Sequence, residues 1–296
     1  MLDCQLAEDP CETKRWLFCS WHDSTTMKEI KRFQVRGIPD QVTRTDFAGR
    51  IVDFWAPEGG SDSVLIAHDG QNIFDPRTAT HLRQTWRLAQ NSIRVAKENQ
   101  KKPPLIIAVF HSANKQNPFG RIKDLSPEDA FRSGIKPSNP NTTLDISDLR
   151  GNEYLTQIFD EILPSIAKST GTVVSPNNTA MLGSSMGGLA TLYAAAKFPD
   201  HFHTTLAFSP HWVLAGNPLV EYLIENLKQH PERKLWMSRG TKGLDSSYQP
   251  FQEFADELAR KNGWHSNFVT KVYHRTGHNE RSWSRYVDDA LRFWLS

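Results

Sequence analysis

The stretch Ala180-Met-Leu-Gly-Ser-Ser-Met-Gly-Gly-Leu-Ala190 decides how this 296-residue chain is interpreted. It contains the pattern G-x-S-x-G, centred on Ser185, between a segment typical of a strand and an Ala- and Leu-rich segment typical of a helix. A serine on a tight strand-to-helix turn presents its hydroxyl outward, and its neighbours must be small because the backbone is cramped. The helix is predicted over residues 187–197 and ends before Pro199. The pattern in this context predicts a nucleophilic serine at position 185.

The overall charge of the chain argues against large anionic partners. Lys and Arg number 35 against 33 Asp and Glu, so neither nucleic acid nor an anionic membrane surface is indicated. No apolar stretch approaches the roughly 20 residues that a membrane span needs. The N-terminus carries Asp3, Glu8 and Asp9 and lacks the apolar core of a signal peptide. We therefore expect a cytoplasmic protein that binds neither nucleic acid nor a membrane.

The three cysteines, Cys4, Cys11 and Cys19, all fall in the first twenty residues. Their spacing matches no zinc or redox motif, and their odd number argues against a disulfide framework. Metal ligands at a recognisable spacing are also missing from the rest of the sequence. The sequence therefore predicts neither a metal nor another cofactor.

The chain divides into an N-terminal extension, residues 1–27, and a catalytic domain, residues 28–296. In the domain, strand-like and helix-like segments alternate. Strands are predicted at 30–35, 50–55, 64–67, 105–110, 179–182, 204–208, 234–237 and 268–273, and helices at 84–98, 153–168, 187–197, 218–228, 251–262 and 280–295. This alternation predicts an α/β fold with a mostly parallel sheet and helices on both faces. Active sites in such sheets lie at the carboxyl ends of the strands.

A long polar segment, residues 111–150, interrupts the alternation. Loops of this length in compact domains usually carry function or move. We expect part of this loop to form a wall of the substrate pocket.

A serine hydroxyl needs a base to accept its proton and a third group to orient that base. On a strand-to-helix serine turn, the acid and then the histidine follow the serine along the chain. This order leaves His230, His265, His274 and His278 as candidates. We favour His278, because it lies in the loop between the last predicted strand and the last predicted helix.

The acid is expected just after the strand that precedes the histidine. Asp245 follows the predicted strand at 234–237 and its turn. Asp256 and Glu257 are alternatives, but they lie inside a predicted helix that turns them toward solvent. Asp245 is therefore the favoured acid.

The negatively charged intermediate of acyl transfer needs two backbone N–H donors, which form an oxyanion hole. One donor is expected from Met186, the residue after the nucleophile. The other is expected from Gln71, which follows Gly70 in the loop after the strand at 64–67. His68 and Asp69 precede the serine in the chain, and we expect them to shape this turn.

Two tryptophans lie near the predicted catalytic segments, one after a predicted strand end and one after the loop that contains His278. Trp212 lies in Ser209-Pro-His-Trp212, and Trp283 lies five residues after His278. We expect both to line an aromatic substrate pocket.

Three segments in the expected order carry a family resemblance: Ala67-His-Asp-Gly-Gln-Asn-Ile-Phe-Asp-Pro76, Gly183-Ser-Ser-Met-Gly-Gly188 and Gly277-His-Asn-Glu-Arg-Ser-Trp283. Together they resemble the "Putative esterase" family of α/β-hydrolases, over about residues 45–296. That family includes enterochelin esterases, esterase D-like S-formylglutathione hydrolases, feruloyl esterases and the antigen 85 mycolyltransferases.

The resemblance implies an α/β-hydrolase fold with Ser185 as nucleophile, His278 as base and an oxyanion hole from Met186 and Gln71. Relatives often carry an acidic residue directly after the Gly-Thr of the acid turn. This chain has Lys242 there, which leaves Asp245 as the nearest carboxylate.

The functional expectation is a serine esterase that acts on a small or medium carboxylic ester through a Ser-His-Asp triad. One alternative is an acyltransferase that passes the same acyl group to an alcohol. The other is a non-catalytic binding protein that keeps the fold. The identity of the ester does not follow from the sequence.

Overall fold

A computed structural model describes residues 27–139 and 145–296, together with the backbone of two short antiparallel strands, β1 (Cys4–Leu6) and β2 (Leu17–Cys19). Apart from these strands and Met27, the extension predicted over residues 1–27 lies outside the described residues.

The first strands of the domain follow one another along the chain, and the later strands alternate with helices. They are β3 (Lys28–Phe33), β4 (Val42–Phe47), β5 (Arg50–Trp55), β6 (Val64–Ala67), β7 (Leu105–Val109), β8 (Thr179–Ser184), β9 (Thr204–Phe208), β10 (Lys234–Lys242) and β11 (Phe268–Gly277). The α-helices are α1 (Leu88–Glu98), α2 (Gly120–Leu125), α3 (Glu128–Arg132), α4 (Gly151–Gln157), α5 (Leu163–Thr170), α6 (Met186–Lys197), α7 (Asn217–Glu225), α8 (Leu244–Ser247), α9 (Gln249–Lys261) and α10 (Glu280–Leu295).

The strands β3 to β11 form one sheet in the order β11-β10-β9-β8-β6-β7-β5-β4-β3. The pairings from β11 to β7 are parallel, and those from β7 through β5 and β4 to β3 are antiparallel. This architecture confirms the predicted α/β fold with a mostly parallel sheet.

The sheet lies between two apolar clusters, and β6 illustrates why. Its residues are all fully buried; Val64 and Ile66 join one cluster, whereas Leu65 and Ala67 join the other. Successive strand residues point to opposite faces, so a strand covered on both faces must be apolar throughout. One cluster includes residues of α1 and α10, and the other includes residues of α4 to α7 and α9.

Strand β4 was not predicted from the sequence, because most of its buried residues are polar. Arg44 forms hydrogen bonds of 2.7 Å with both carboxylate oxygens of Asp53 on β5. Thr45 is fully buried and donates to the Val52 carbonyl at 3.1 Å. Partners on the adjacent strand satisfy these groups, and hydrophobicity alone does not reveal such a strand.

The register of the parallel strands determines where their ends meet. Ala67 at the end of β6 pairs with Leu182 of β8, and Phe208 at the end of β9 pairs with both Ser184 and Ser238. The segments that follow β6, β8, β9 and β10 therefore start at the same edge of the sheet. All the predicted catalytic segments lie at this edge.

Candidate active site

Ser185 lies between β8 and α6 in a strained conformation, with φ 57° and ψ −122°. A non-glycine residue in such a region costs of order 1–3 kcal/mol and persists only where its surroundings fix it. Here the Ser185 N–H donates to the Phe208 carbonyl at 3.0 Å. A Cβ at position 183 would lie 2.2 Å from the carbonyl oxygen of Gly187, which explains the first glycine of the motif.

The second glycine of the motif is explained by the loop that follows β6. A Cβ at Gly187 would lie 3.1 Å from Asp69 Oδ2 and 3.2 Å from His68 Cβ. The loop after β6 therefore packs directly on the serine turn.

The two predicted oxyanion donors both lie at helix starts. Gln71 belongs to a 3₁₀ turn, Gly70–Asn72, in which the Asn72 N–H donates to the Asp69 carbonyl at 2.9 Å. Met186 is the first residue of α6. The first N–H groups of a helix have no partner within it. The structure therefore provides two helix-start N–H groups at adjacent strand ends.

Asp69 joins the loop after β6 to the long loop. Its carboxylate accepts hydrogen bonds of 2.7 Å from both Nε and Nη2 of Arg121 on α2. Burial is the largest influence on the pKa of Asp69 and raises it, but the charge and hydrogen bonds of Arg121 outweigh burial, so the pKa lies below its usual value. Burial lowers the pKa of the neighbouring His68 to about 4, so this imidazole is neutral at neutral pH. Asp69 therefore connects the loop after β6 to α2, and the role of His68 and Asp69 in shaping the turn stays a prediction.

His278 and Asp245 lie next to each other after β11 and β10. His278 Nδ1 is 2.6 Å from Asp245 Oδ1. The other oxygen of this fully buried carboxylate accepts from the Gly240 N–H at 2.8 Å and from the Ser209 hydroxyl at 3.0 Å. The carboxylate is thus fixed on one side and faces the imidazole on the other.

The alternative acids and histidines lie elsewhere. Asp256 accepts hydrogen bonds of 2.8 Å from Gln252 and Thr270, and it lies on α9. The other candidate histidines are exposed, namely His230, His265 and His274. Among the later histidines of the described chain, His278 is the one beside a buried carboxylate.

Ser185 and His278 line the same cavity, whose volume is about 310 Å³. Arg121 also lines it, so the long loop forms part of its wall; that this cavity binds the substrate stays a prediction. Glu280, at the start of α10, faces the cavity and accepts from Asn72 Nδ2 at 3.1 Å. Burial raises the pKa of Glu280 above its usual value. The cavity therefore contains carboxylate, guanidinium and imidazole groups.

The two tryptophans predicted for the substrate pocket lie in different places. Trp283 lines the cavity, stacks edge-to-face on His278 with 5.0 Å between ring centres, and donates from Nε1 to Ser209 at 3.3 Å. Trp212 is fully buried in the core and donates from Nε1 to Gln252 at 3.1 Å.

Several residues of the site were not identified from the sequence. Ser209 follows β9 and contacts the buried carboxylate, and Tyr248 and His211 form a hydrogen-bonded pair beside Ser185. The sequence feature that could have identified these residues is their position after predicted strands, in the segments 209–211 and 243–248. Side chains distant in sequence decide these contacts, so the motif alone does not reveal them.

Within residues 27–139 and 145–296, no group of three or more His, Cys, Asp or Glu side chains is arranged to hold a metal ion. In the same part of the chain, no helix is long and apolar enough to cross a membrane.

Solved structures share the fold. The enterobactin esterase FES from Shigella flexneri matches with a TM-score of 0.59 and 15% identity, over 92% of this chain and 59% of that one. BES protein from Bacillus cereus matches with a TM-score of 0.59 and 16% identity, over 97% and 99% of the two chains. The enterobactin and salmochelin hydrolase IroE matches with a TM-score of 0.52 and 15% identity, over 90% and 94%. These likenesses confirm the α/β-hydrolase fold.

Sequence comparison gives the family. The uncharacterized protein YbbA of Bacillus subtilis (strain 168) is 24% identical over 151 residues, which are 50% of this chain and 49% of YbbA. The chain thus spans about half the length of this curated relative. The sequence profile of the family described as "Putative esterase" matches residues 49–293. The chain belongs to this esterase family of α/β-hydrolases.

Proposed function

We propose that the protein is a serine esterase that hydrolyses a small or medium carboxylic ester through an acyl-enzyme on Ser185. The observation that carries the proposal is the 2.6 Å contact between His278 and the buried Asp245, because His278 lines the same cavity as Ser185. An imidazole oriented by a buried carboxylate near a serine on a strained turn is the arrangement that activates a hydroxyl.

Acylation starts when His278 Nε2 accepts the proton of Ser185 and Oγ attacks the carbonyl carbon of the ester. The carbonyl oxygen becomes negatively charged, and the N–H groups of Met186 and Gln71 donate to it. The bond between the carbonyl carbon and the alcohol oxygen then breaks. The electron pair goes to that oxygen, which takes the proton from His278 and leaves as the alcohol.

Deacylation repeats these steps with water. His278 accepts a proton from the water molecule, whose oxygen attacks the acyl carbon. The bond to Oγ breaks, and His278 returns the proton to Ser185. Asp245 accepts from the Nδ1–H throughout, which fixes the tautomer and stabilises the imidazolium that forms in each half.

The substrate side of the proposal uses the remaining groups of the cavity. Trp283 offers an apolar surface, whereas Arg121 and Glu280 offer a charged donor and a carboxyl group. Because Asp69 already pairs with Arg121, we expect a polar ester rather than a multiply charged anion.

The test is an ester panel that includes activated acyl esters, aromatic esters and enterobactin, the compound named for two of the similar structures. We expect hydrolysis by the natural protein and a loss of at least about a thousandfold in kcat for Ser185→Ala, since nucleophile and base act as a unit. Acceptor alcohols are added in parallel. If a product ester forms faster than the free acid, the protein is an acyltransferase and not a hydrolase. If neither turnover nor labelling is seen, it is a binding protein.

A further inference from the structure

Tyr248 lies between two histidines beside the nucleophile. Its ring meets His278 edge-to-face with 5.5 Å between ring centres and meets His211 in the same way at 5.9 Å. The side chain is fully buried, and its backbone N–H donates to the Asp245 carbonyl at 3.3 Å. Tyr248 is therefore held by the same short helix that carries the proposed catalytic acid.

The hydroxyl of Tyr248 lies 2.6 Å from His211 Nδ1. The Ser185 side chain also interacts with this hydroxyl, since it acts on the pKa of Tyr248. His211 is itself attached to the serine turn, because its backbone N–H donates to the Ser185 carbonyl at 3.1 Å. The three residues thus form a contiguous chain at the nucleophile.

The protonation states limit how this chain can be oriented. Burial lowers the pKa of His211 to about 4, and the charges of His278 and Arg121 act in the same direction, so the ring carries one proton at neutral pH. Burial and the charge of Asp245 raise the pKa of Tyr248 far more than the Ser185 side chain lowers it. The tyrosine therefore keeps its proton.

Two proton arrangements give Tyr248 hydrogen bonds to both His211 and Ser185. In one, Tyr248 donates to His211 and accepts from Ser185, so the serine proton points away from His278 and cannot reach the base. In the other, His211 Nδ1–H donates to Tyr248, and Tyr248 donates to Ser185 Oγ. Only the second leaves the serine proton free for His278.

We propose that Tyr248 is a further catalytic residue that donates a hydrogen bond to Ser185 Oγ, and that His211 is the positioning residue that orients this donor. The proposal rests on Ser185 being the acylated nucleophile. When the acyl-enzyme breaks down, the electron pair of the carbon–oxygen bond goes to Oγ before His278 returns the proton. A donor on Oγ stabilises this charge while Tyr248 keeps its own proton, so the main effect falls on deacylation.

Pre-steady-state hydrolysis of a p-nitrophenyl ester tests the proposal. Tyr248→Phe should slow deacylation by about tenfold to a hundredfold, since a hydrogen bond to a charged atom is lost, and should show a burst of nitrophenol. The rate of fluorophosphonate labelling, which reports attack by the serine, should fall by less than about threefold. Tyr193→Phe is the matched control, because its hydroxyl is bonded to Asn152 on α4, away from the cavity, and it should keep the natural deacylation rate.

The positioning role is tested at His211. His211→Asn retains an N–H near the place of Nδ1 and should keep deacylation within about threefold, whereas His211→Leu should match Tyr248→Phe. The double variant Tyr248→Phe/His211→Leu should be no slower than Tyr248→Phe. The two His211 variants test the proposal even if Tyr248→Phe does not fold.

Natural deacylation rates in Tyr248→Phe, or equal losses in His211→Asn and His211→Leu, would overturn the proposal. So would a loss confined to the labelling rate. These outcomes differ from failure of the proposed function, in which the natural protein itself would show neither labelling at Ser185 nor turnover.

Discussion

The ion pair between Asp69 and Arg121 supports the loop that carries the proposed second oxyanion donor, so its removal has a calculable cost. The Asp69 side chain is 6% exposed, has φ 53°, and accepts two hydrogen bonds of 2.7 Å from Arg121. In Arg121→Met the carboxylate loses both. His111 Nε2 lies 3.8 Å from Asp69, but burial lowers the pKa of His111, so at neutral pH it does not supply a replacement charge.

Breaking a buried ion pair by removing one partner costs about 3–5 kcal/mol, because the other charge stays buried and unpaired. Since the Arg121 side chain is 33% exposed, we expect about 3 kcal/mol, the lower end of that range. Asp69→Asn/Arg121→Met should recover most of this loss, because asparagine tolerates a positive φ and needs no counter-charge. Arg77→Met is the matched control: it removes a 3.0 Å pair with Asp75, but its side chain is 69% exposed, and the cost should stay below about 1 kcal/mol.

The pH dependence of this loss has a definite sign. In the natural protein the folded pKa of Asp69 lies below its ordinary value, so the pair stabilises fully above about pH 4, the unfolded value, and is lost as pH falls through the folded value. Without Arg121, burial remains and raises the pKa of Asp69, so the variant gains protons on folding and recovers stability as pH falls. The difference between the two proteins should therefore shrink on acidification.

Urea unfolding at pH 7 and pH 4.5, followed by far-UV circular dichroism, measures this difference. A loss below about 1 kcal/mol at pH 7 would refute the role of the pair, since it would be no larger than the contribution of an exposed pair. A difference that grows as pH falls would refute the sign.

Three further expectations concern the proposed chemistry. His278→Ala should lose about as much kcat as Ser185→Ala, the double variant should be hardly worse, and Asp245→Asn should be milder than either; additive losses in the double variant would contradict a shared role. Gly70→Ala should lower the free energy of unfolding by about 1–3 kcal/mol or more in thermal melts, because its Cβ would lie 2.4 Å from the Ala108 carbonyl oxygen. Gln71→Ala should lower activity by less than about tenfold, because the proposed donor is the backbone N–H and not the side chain. Dialysis against EDTA should leave ester hydrolysis unchanged, and a loss restored by zinc would overturn the metal-free mechanism.

Much of the fold follows from apolar patterning. The strands 50–55, 64–67 and 204–208 and the helix 280–295 were predicted with the bounds that the structure has. Residues 50–55 are mostly apolar, residues 280–295 have a clear helical periodicity, and the short runs at 64–67 and 204–208 are fully buried, so local hydrophobicity is sufficient there.

Other helices differ because local pattern does not determine their ends. The helix predicted at 84–98 begins at Leu88, since Arg87 has φ 51°, which is incompatible with an α-helix. The helix predicted at 153–168 is a composite of α4, a π-helical segment at Ile158–Ile162 and α5, and it runs from Gly151 to Thr170. Two short helices, α2 and α3, lie inside the segment predicted as a loop.

Some residues of the proposed site could be predicted from the sequence, and others could not. Ser185, Asp245 and His278 were chosen from a motif and from chain order, which the sequence contains directly. Arg121 and Tyr248 act through partners 52 and 37 residues away, respectively, and only the folded sheet edge brings those partners together.

Fluorophosphonate labelling followed by peptide mass spectrometry tests the central claim most directly. The motif offers a strict control, because Ser184 lines the same cavity directly next to Ser185. An activated serine reacts with the probe, whereas an ordinary hydroxyl does not. We expect one label on Ser185 in the natural protein and in Ser184→Ala, and no label in Ser185→Ala. Labelling that persists in Ser185→Ala, or no labelling of the folded natural protein, would contradict the account.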